Sequence, residues 1–142
     1  MSADAVMLKI QRFLSEEDLF VRLSGDGLVV PYDSTAVFIS VLEQKERSLV
    51  RFTAPVILEA PDTPELTRWV ATDGQQYFFG AAALRMRAEG TVDVVLDHTL
   101  LGDFLDREEL HAVIGALANT ANDLDEQLKG KFGGRRLNED DL

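Results

Sequence analysis

Cysteine is absent from this chain of 142 residues, which excludes disulfide bonds and thiolate metal sites. Bases are scarce, because 14 Lys and Arg stand against 25 Asp and Glu and give a formal net charge of −11. This charge argues against nucleic acid or an anionic membrane as the main partner. The sequence shows no signal-peptide pattern at its start and no apolar run near the roughly 20 residues that cross a membrane. We therefore expect a cytoplasmic protein without membrane insertion.

The composition is that of a globular domain, with 46% hydrophobic and 27% charged residues. The length suits one domain with its own apolar core. Two consecutive glycines, Gly133 and Gly134, separate most of the chain from a highly charged end. We therefore expect a single domain over residues 1–134 and a flexible charged tail over residues 135–142.

The clearest structural pattern is a long amphipathic helix over residues 106–132. Asp106 suits the N-cap, Glu109 completes a capping box, and Gly133 suits the left-handed residue that ends a helix. Apolar residues recur every three or four positions, at Leu110, Val113, Ile114, Leu117, Ala121, Leu124, Leu128 and Phe132. The opposite face includes an acidic run that we expect to lie in solvent: Asp123, Asp125 and Glu126.

Shorter patterns precede this helix. Helical spacing predicts a first helix over residues 4–14, and Thr63 followed by Pro64 predicts the start of a short second one. Strand patterns occupy residues 19–23, 28–32, 36–42, 48–58, 76–79, 82–88 and 91–96. This order predicts an α+β fold in which an N-terminal helix, a short middle helix and a long C-terminal helix pack on an antiparallel sheet.

The last two strands form the best-defined hairpin. A three-residue loop over residues 88–90 pairs Met86 with Val92 and keeps the apolar side chains on one face. Gly90 then takes the left-handed conformation that such a loop needs. A two-residue loop would place apolar and charged side chains opposite each other, so the longer loop is predicted.

One cluster joins an imidazole to carboxylates, at Asp97, His98 and Asp103. These residue types could form a metal site or provide a general base. Their spacing matches no fixed ligand pattern, so the favoured interpretation is that they shape the turn before the long helix. No nucleophile motif or phosphate-binding loop is recognisable. The sequence therefore predicts neither an enzyme nor a protein that needs a metal or cofactor.

One strand is apolar on both faces, which suits either a central strand covered on both sides or a strand that keeps one face for a partner. Residues 36–42 are apolar on both faces of their strand, with Phe38 and Leu42 on the second face. Aromatic residues also cluster between the short helix and the hairpin. Together these give the candidate peptide-binding residues Phe38, Leu42, Trp69, Tyr77 and Phe78. Core packing is the alternative interpretation, and it is favoured for Trp69 and Phe79.

Several segments resemble a known family. They are Arg68-Trp69-Val70, Tyr77-Phe78-Phe79-Gly80, the run His98-Thr99-Leu100-Leu101-Gly102-Asp103-Phe104-Leu105-Asp106, and residues 124–134. In these segments the chain resembles the actinobacterial, YbjN-related members of the type III secretion chaperone-like (CesT-like) superfamily, which are peptide-binding chaperones. The resemblance covers residues 4–134 and is strongest from residue 66 onward. It implies a curved antiparallel sheet, a long C-terminal helix, binding of protein segments without nucleotide hydrolysis, and a homodimer.

Three hypotheses about function follow, each from a different class. The preferred one is a non-enzymatic, chaperone-like module that binds a protein or peptide client as a homodimer, through apolar pockets or strand addition. The second is a structural or regulatory subunit of a larger protein complex. The third is a metal-binding protein or enzyme that uses Asp97, His98 and Asp103.

Overall fold

A computed structural model describes residues 1–17 and 19–142 of the chain. Its helices are α1 (Ala3–Glu16), α2 (Pro64–Ala71) and α3 (Arg107–Phe132). Its strands are β1 (Arg22–Ser24), β2 (Gly27–Tyr32), β3 (Thr35–Gln44), β4 (Arg47–Pro61), β5 (Ala81–Met86) and β6 (Thr91–Leu101). Single 3-10 turns lie at Asp73–Gln75, Gly102–Phe104 and Glu139–Asp141.

The strands form one antiparallel sheet in the order β1-β2-β3-β4-β6-β5. The helices all pack on one face of this sheet. The shared core joins Ile10 of α1, Leu66 of α2 and Leu117 of α3 to Phe52 and Leu96 of the strands. The predicted α+β class, with three helices packed on an antiparallel sheet, is therefore confirmed.

The long helix α3 begins and ends where its capping residues lie. The carboxylate of Asp106 accepts a hydrogen bond of 2.8 Å from the backbone N–H of Glu109. Gly133 follows the helix with a φ of 85°, a conformation that glycine adopts without steric cost. The predicted apolar stripe is buried from Leu110 to Leu128. These contacts confirm the long helix that the sequence predicts.

The β5–β6 hairpin has the predicted register. Met86 pairs with Val92, and Arg85 pairs with Asp93 on the opposite face. The backbone N–H of Arg87 donates to the carbonyl of Thr91 at 2.9 Å, which closes a three-residue loop. This register fixes which side chains of β6 face the helices and which face away from them.

We expect Gly90→Val to lower the free energy of unfolding by about 1–3 kcal/mol, as measured by chemical denaturation. Gly90 has a φ of 91°, so a β-branched residue there is strained although the space around it is open. The control is Ala88→Val in the same exposed loop, which should change stability by less than about 0.5 kcal/mol. Equal stability of the two variants would contradict a left-handed residue at this position.

The strand predicted over residues 76–79 was wrong. The chain leaves α2 through the turn at Asp73–Gln75, and residues 76–79 then run as irregular backbone beside Ala116 and Thr120 of α3. Gly80, with a φ of 85°, redirects the chain into β5. Side chains of β4 do not alternate regularly between Pro55 and Ala60, because bulges shift the register of the strand there.

The segment after α3 makes specific contacts in the structure. Arg135 and Leu58 exchange two backbone hydrogen bonds of 2.6 and 2.8 Å at the bulged part of β4. The Arg135 side chain also contacts Asp141 at 2.9 Å and Glu59 at 3.2 Å. These bonds raise the pKa of Arg135, and the bond from Arg135 lowers the pKa of Asp141. Flexibility of residues 135–142 in solution stays a prediction.

The prediction that Asp125 lies in solvent was wrong. Its residue surface is only 2% exposed, although its neighbours Asp123 and Glu126 are exposed. One carboxylate oxygen accepts a hydrogen bond of 2.6 Å from the hydroxyl of Ser34. Arg136 approaches the other oxygen at 3.3 Å. Asp125 therefore joins α3, the β2–β3 turn and the C-terminal segment.

Candidate functional site

The face of the sheet that turns away from the helices carries the candidate site. Side chains alternate between the two faces of a strand, so the residues beside the core positions point to this second face. We call its uncovered part the open face and define it by Phe38, Ser40, Leu42, Leu49, Arg51, Thr53, Asp97, Thr99 and Leu101. These residues come from β3, β4 and β6, the central strands of the sheet.

Three leucines form a continuous row across the open face. Leu42 of β3 pairs with Leu49 of β4, and Leu49 pairs in turn with Leu101 of β6. The Cβ atoms of directly paired residues on one face of a sheet lie roughly 5 Å apart, which places the side chains of neighbouring leucines within contact distance. Leu42 is 41% exposed and Leu101 is 42% exposed. We call Leu42, Leu49 and Leu101 the leucine row.

The other end of the same face is covered. Ala36 of β3 and Val95 of β6 point to this face and are buried. The C-terminal segment lies at this end, where Leu137 and Leu142 line a depression together with Pro31. Apolar surface is therefore left uncovered at the end of the sheet that carries the leucine row.

The structure brings two of the predicted binding residues onto this surface. Phe38 is half-buried and lies on the same face of β3 as Leu42, with Ser40 between them. Leu49 and Leu101 of this surface were not predicted from the sequence. Leu101 escaped notice because the predicted strand ended at Leu96, whereas β6 continues to residue 101.

The other predicted binding residues lie elsewhere. Trp69 is only 6% exposed and lies on the side of α2 that faces the core, which agrees with the alternative interpretation. Phe78 is 100% exposed on the irregular segment before β5. Tyr77 and Phe78 line a depression with Ala116 and Thr120 of α3, on the helix side of the sheet. Burial of the Tyr77 hydroxyl, aided by the charge of Asp73, raises its pKa.

The structure separates the three residues of the candidate metal or catalytic site. The carboxylate of Asp97 accepts hydrogen bonds of 2.7 Å from Thr53 and from Arg85. The Nδ1 atom of His98 accepts a bond of 3.0 Å from the backbone N–H of Gly80. These contacts join β6 to β4, to β5 and to the turn at Gly80. They are structural, but they do not shape the turn before α3, so the favoured interpretation was wrong about their place.

Asp103 has a different set of partners, which lie at the N-terminal end of α1. Its carboxylate accepts a hydrogen bond of 2.8 Å from the amino group of Met1. That bond lowers the pKa of Asp103, and the charges of Arg47 and Lys9 add to the shift. Within residues 1–17 and 19–142, no three His, Asp or Glu side chains are placed to hold a metal ion together.

None of the helices that the structure describes combines the length and the apolar character needed to cross a membrane.

The fold and the open face define a sheet-based module with one uncovered apolar surface, and a family comparison identifies its class. The family model described as "T3SS (YopN, CesT) and YbjN peptide-binding chaperone 1" matches residues 2–140. The chain therefore belongs to this family. None of the curated protein sequences matches the chain.

Solved structures share the fold at low sequence identity. YbjN from E. coli is 14% identical, with a TM-score of 0.67 over 97% of each chain. ExsC, solved as the ExsC–ExsE complex, is 16% identical, with a TM-score of 0.65 over 89% of this chain and 95% of that one. SycH of Yersinia pestis, solved with a stable fragment of YscM2, is 15% identical, with a TM-score of 0.56 over 84% and 98%. At these identities the likeness establishes the fold.

Proposed function

We propose that this protein is a non-enzymatic, chaperone-like module that binds an apolar segment of a client protein on its open face, without nucleotide hydrolysis. The observation that carries the proposal is the uncovered leucine row on the helix-free face of the sheet. Membership of a peptide-binding chaperone family supports it. Two structural neighbours, SycH and ExsC, were solved with protein partners, which supports it further.

The leucine row can supply the binding energy that such a contact needs. Fully burying an exposed leucine contributes roughly 1.5–3 kcal/mol. The three leucines are already partly buried, so a client gains less than this from each one. Because the three leucines lie on central strands of the sheet, binding a client costs little additional conformational entropy. Together with the half-buried Phe38, the row suits a client segment with apolar side chains on one face.

Strand addition at the β5 edge is a less favourable mode. The side-chain amide of Gln75 donates a hydrogen bond of 3.1 Å to the carbonyl of Ala82, a group that an added strand would use. The exposed ring of Phe78 and its neighbour Tyr77 stay in the proposal as a second apolar contact, on the helix side of the sheet and apart from the leucine row. We also keep a homodimer and a cytoplasmic location as parts of the proposal, with sedimentation as the test of the dimer.

We expect the double substitution Leu42→Asp and Leu101→Asp to weaken peptide binding by about 10- to 100-fold, because two apolar contacts are lost. The probe is a fluorescein-labelled peptide in which three leucines alternate with glutamine between Gly-Ser segments, the neutral peptide. Binding is measured by fluorescence anisotropy, and stability of each variant by chemical denaturation.

The control is Leu8→Asp, because Leu8 is an exposed leucine of α1 on the opposite side of the sheet. It should bind the neutral peptide as the wild type does. Wild-type binding by the double variant, or an equal loss in the control, would exclude the open face as the binding surface.

A further inference from the structure

We infer that the client segment carries acidic residues beside its apolar ones. This inference rests on the proposed function and adds the charge of the partner. The negative charge inferred for the client is opposite in sign to the one that the whole chain suggests, because a net charge of −11 favours a basic partner. The reason lies in where the charges are placed.

Two arginines flank the leucine row. Arg47 and Arg51 stand two residues before and after Leu49 in β4, so all three side chains point to the open face. Arg51 is exposed, and its cross-strand partners Ser40 and Thr99 are uncharged. In the part of the chain that the structure describes, neither arginine lies within 4.0 Å of a carboxylate oxygen.

The acids near this surface are committed to other partners. Asp97 shares the open face, but it is bound to Arg85 at 2.7 Å. Glu43 accepts a hydrogen bond of 2.8 Å from the backbone N–H of Ala3, on the helix side. In the turn between β3 and β4, the charges of Lys45 and Glu46 cancel.

Asp103 lies near Arg47, but its charge is shared. The amino group of Met1 holds this carboxylate at 2.8 Å, and the charges of Arg47 and Lys9 act on it as well. Asp103 is therefore already paired with the Met1 amino group. Arg47 and Arg51 are left as the charges beside the leucine row that have no carboxylate within 4.0 Å among the described residues.

The local charge outweighs the net charge at contact distance. Salt screens charges over about 8 Å at physiological ionic strength, so most of the acidic surface acts weakly on a bound segment. Arg47 also lies against the exposed ring of Phe104, with 5.9 Å between the guanidinium carbon and the ring centre. A client carboxylate beside its apolar residues can therefore meet a guanidinium with little competition from the protein's own acids.

The test compares the neutral peptide with two versions in which glutamate or lysine replaces its glutamines. Anisotropy is measured at about 0.15 M salt, and the charge-reversed protein carries Arg47→Glu and Arg51→Glu. Wild-type protein should bind the glutamate peptide about five-fold more tightly than the neutral one and the lysine peptide more weakly. The charge-reversed protein should invert this order. Arg68→Glu on α2, an exposed arginine away from the open face, should leave the order unchanged.

The outcomes distinguish a failure of this inference alone from a failure of the proposed function beneath it. If the lysine peptide binds the wild type as tightly as the glutamate peptide, the inference is overturned, and the neutral peptide still tests the function. Inversion by Arg68→Glu as well would overturn it, because the effect would then come from net charge. Binding of none of the three peptides would overturn both the inference and the proposed function. If the order of peptide affinities is inverted in the charge-reversed protein but not in Arg68→Glu, the inference is supported.

Discussion

Replacing Trp69 by alanine should lower the free energy of unfolding by about 3–5 kcal/mol, because the substitution leaves a large cavity in the core. Trp69 is 6% exposed and lies on the side of α2 that faces the core. A Cβ added at Gly74 would lie 3.3 Å from its ring, which shows how closely the surrounding chain fits it. The free energy of unfolding is measured by urea denaturation, with circular dichroism as the signal. Below the unfolding transition, binding of the neutral peptide should remain at the wild-type level.

Phe78→Ala is the matched aromatic control. Phe78 is fully exposed, so its removal should change stability by less than about 0.5 kcal/mol. If Trp69→Ala instead kept most of its stability and lost peptide binding, Trp69 would belong to the binding surface. That result would favour the first of the two interpretations that the sequence allows.

Asp125→Asn should lower the free energy of unfolding by about 2–3 kcal/mol, the second-largest effect expected. The substitution keeps the size of the side chain but removes the charge that faces Arg136 in a buried position. It also replaces one of the two carboxylate oxygens, which accept hydrogen bonds, with an amide nitrogen, which donates them. Because Asp125 joins Ser34 to α3 as well, the loss should loosen two connections at once.

The neighbouring Glu126 provides the control for Asp125. Glu126 also pairs with Arg136, but its side chain is 67% exposed. Solvent screening should limit the cost of Glu126→Gln to less than about 1 kcal/mol. Equal losses from the two variants would show that burial of Asp125 contributes nothing to stability.

Local signals predicted the parts of the fold that depend on neighbouring residues. The start of α3 at Asp106, the start of α2 after Thr63 and the loop ending at Gly90 each follow from hydrogen bonds or backbone angles within a few residues. Such contacts can be derived from sequence spacing alone. The α+β class followed from the order of these elements.

Contacts between distant parts of the chain were not predictable in the same way. Asp125 is buried because of Ser34, which lies 91 residues earlier, and no spacing rule connects the two. The polar residues Asp97, His98 and Thr99 looked like the end of a strand. The structure pairs them with residues of β4 as far as the pair of Leu49 and Leu101, so β6 continues to Leu101.

The sequence therefore predicted only part of the candidate site. Phe38 and Leu42 were found because a strand with apolar residues on both faces leaves one face in need of a cover. Leu49 and Leu101 join them only through the register of three strands. The local charge of the surface was not predictable either. Acids outnumber bases in the composition, but among the described residues Arg47 and Arg51 have no ion pair and Asp97 is bound to Arg85.

Photocrosslinking of the neutral peptide tests the central claim most directly. Benzoylphenylalanine is placed at Leu49, in the middle of the leucine row, or at Leu8 on the outer side of α1, and the products are mapped by mass spectrometry. The account predicts a crosslink from position 49 that excess unlabelled peptide abolishes, and none from position 8. Crosslinks from position 8 with none from position 49 would contradict binding on the open face.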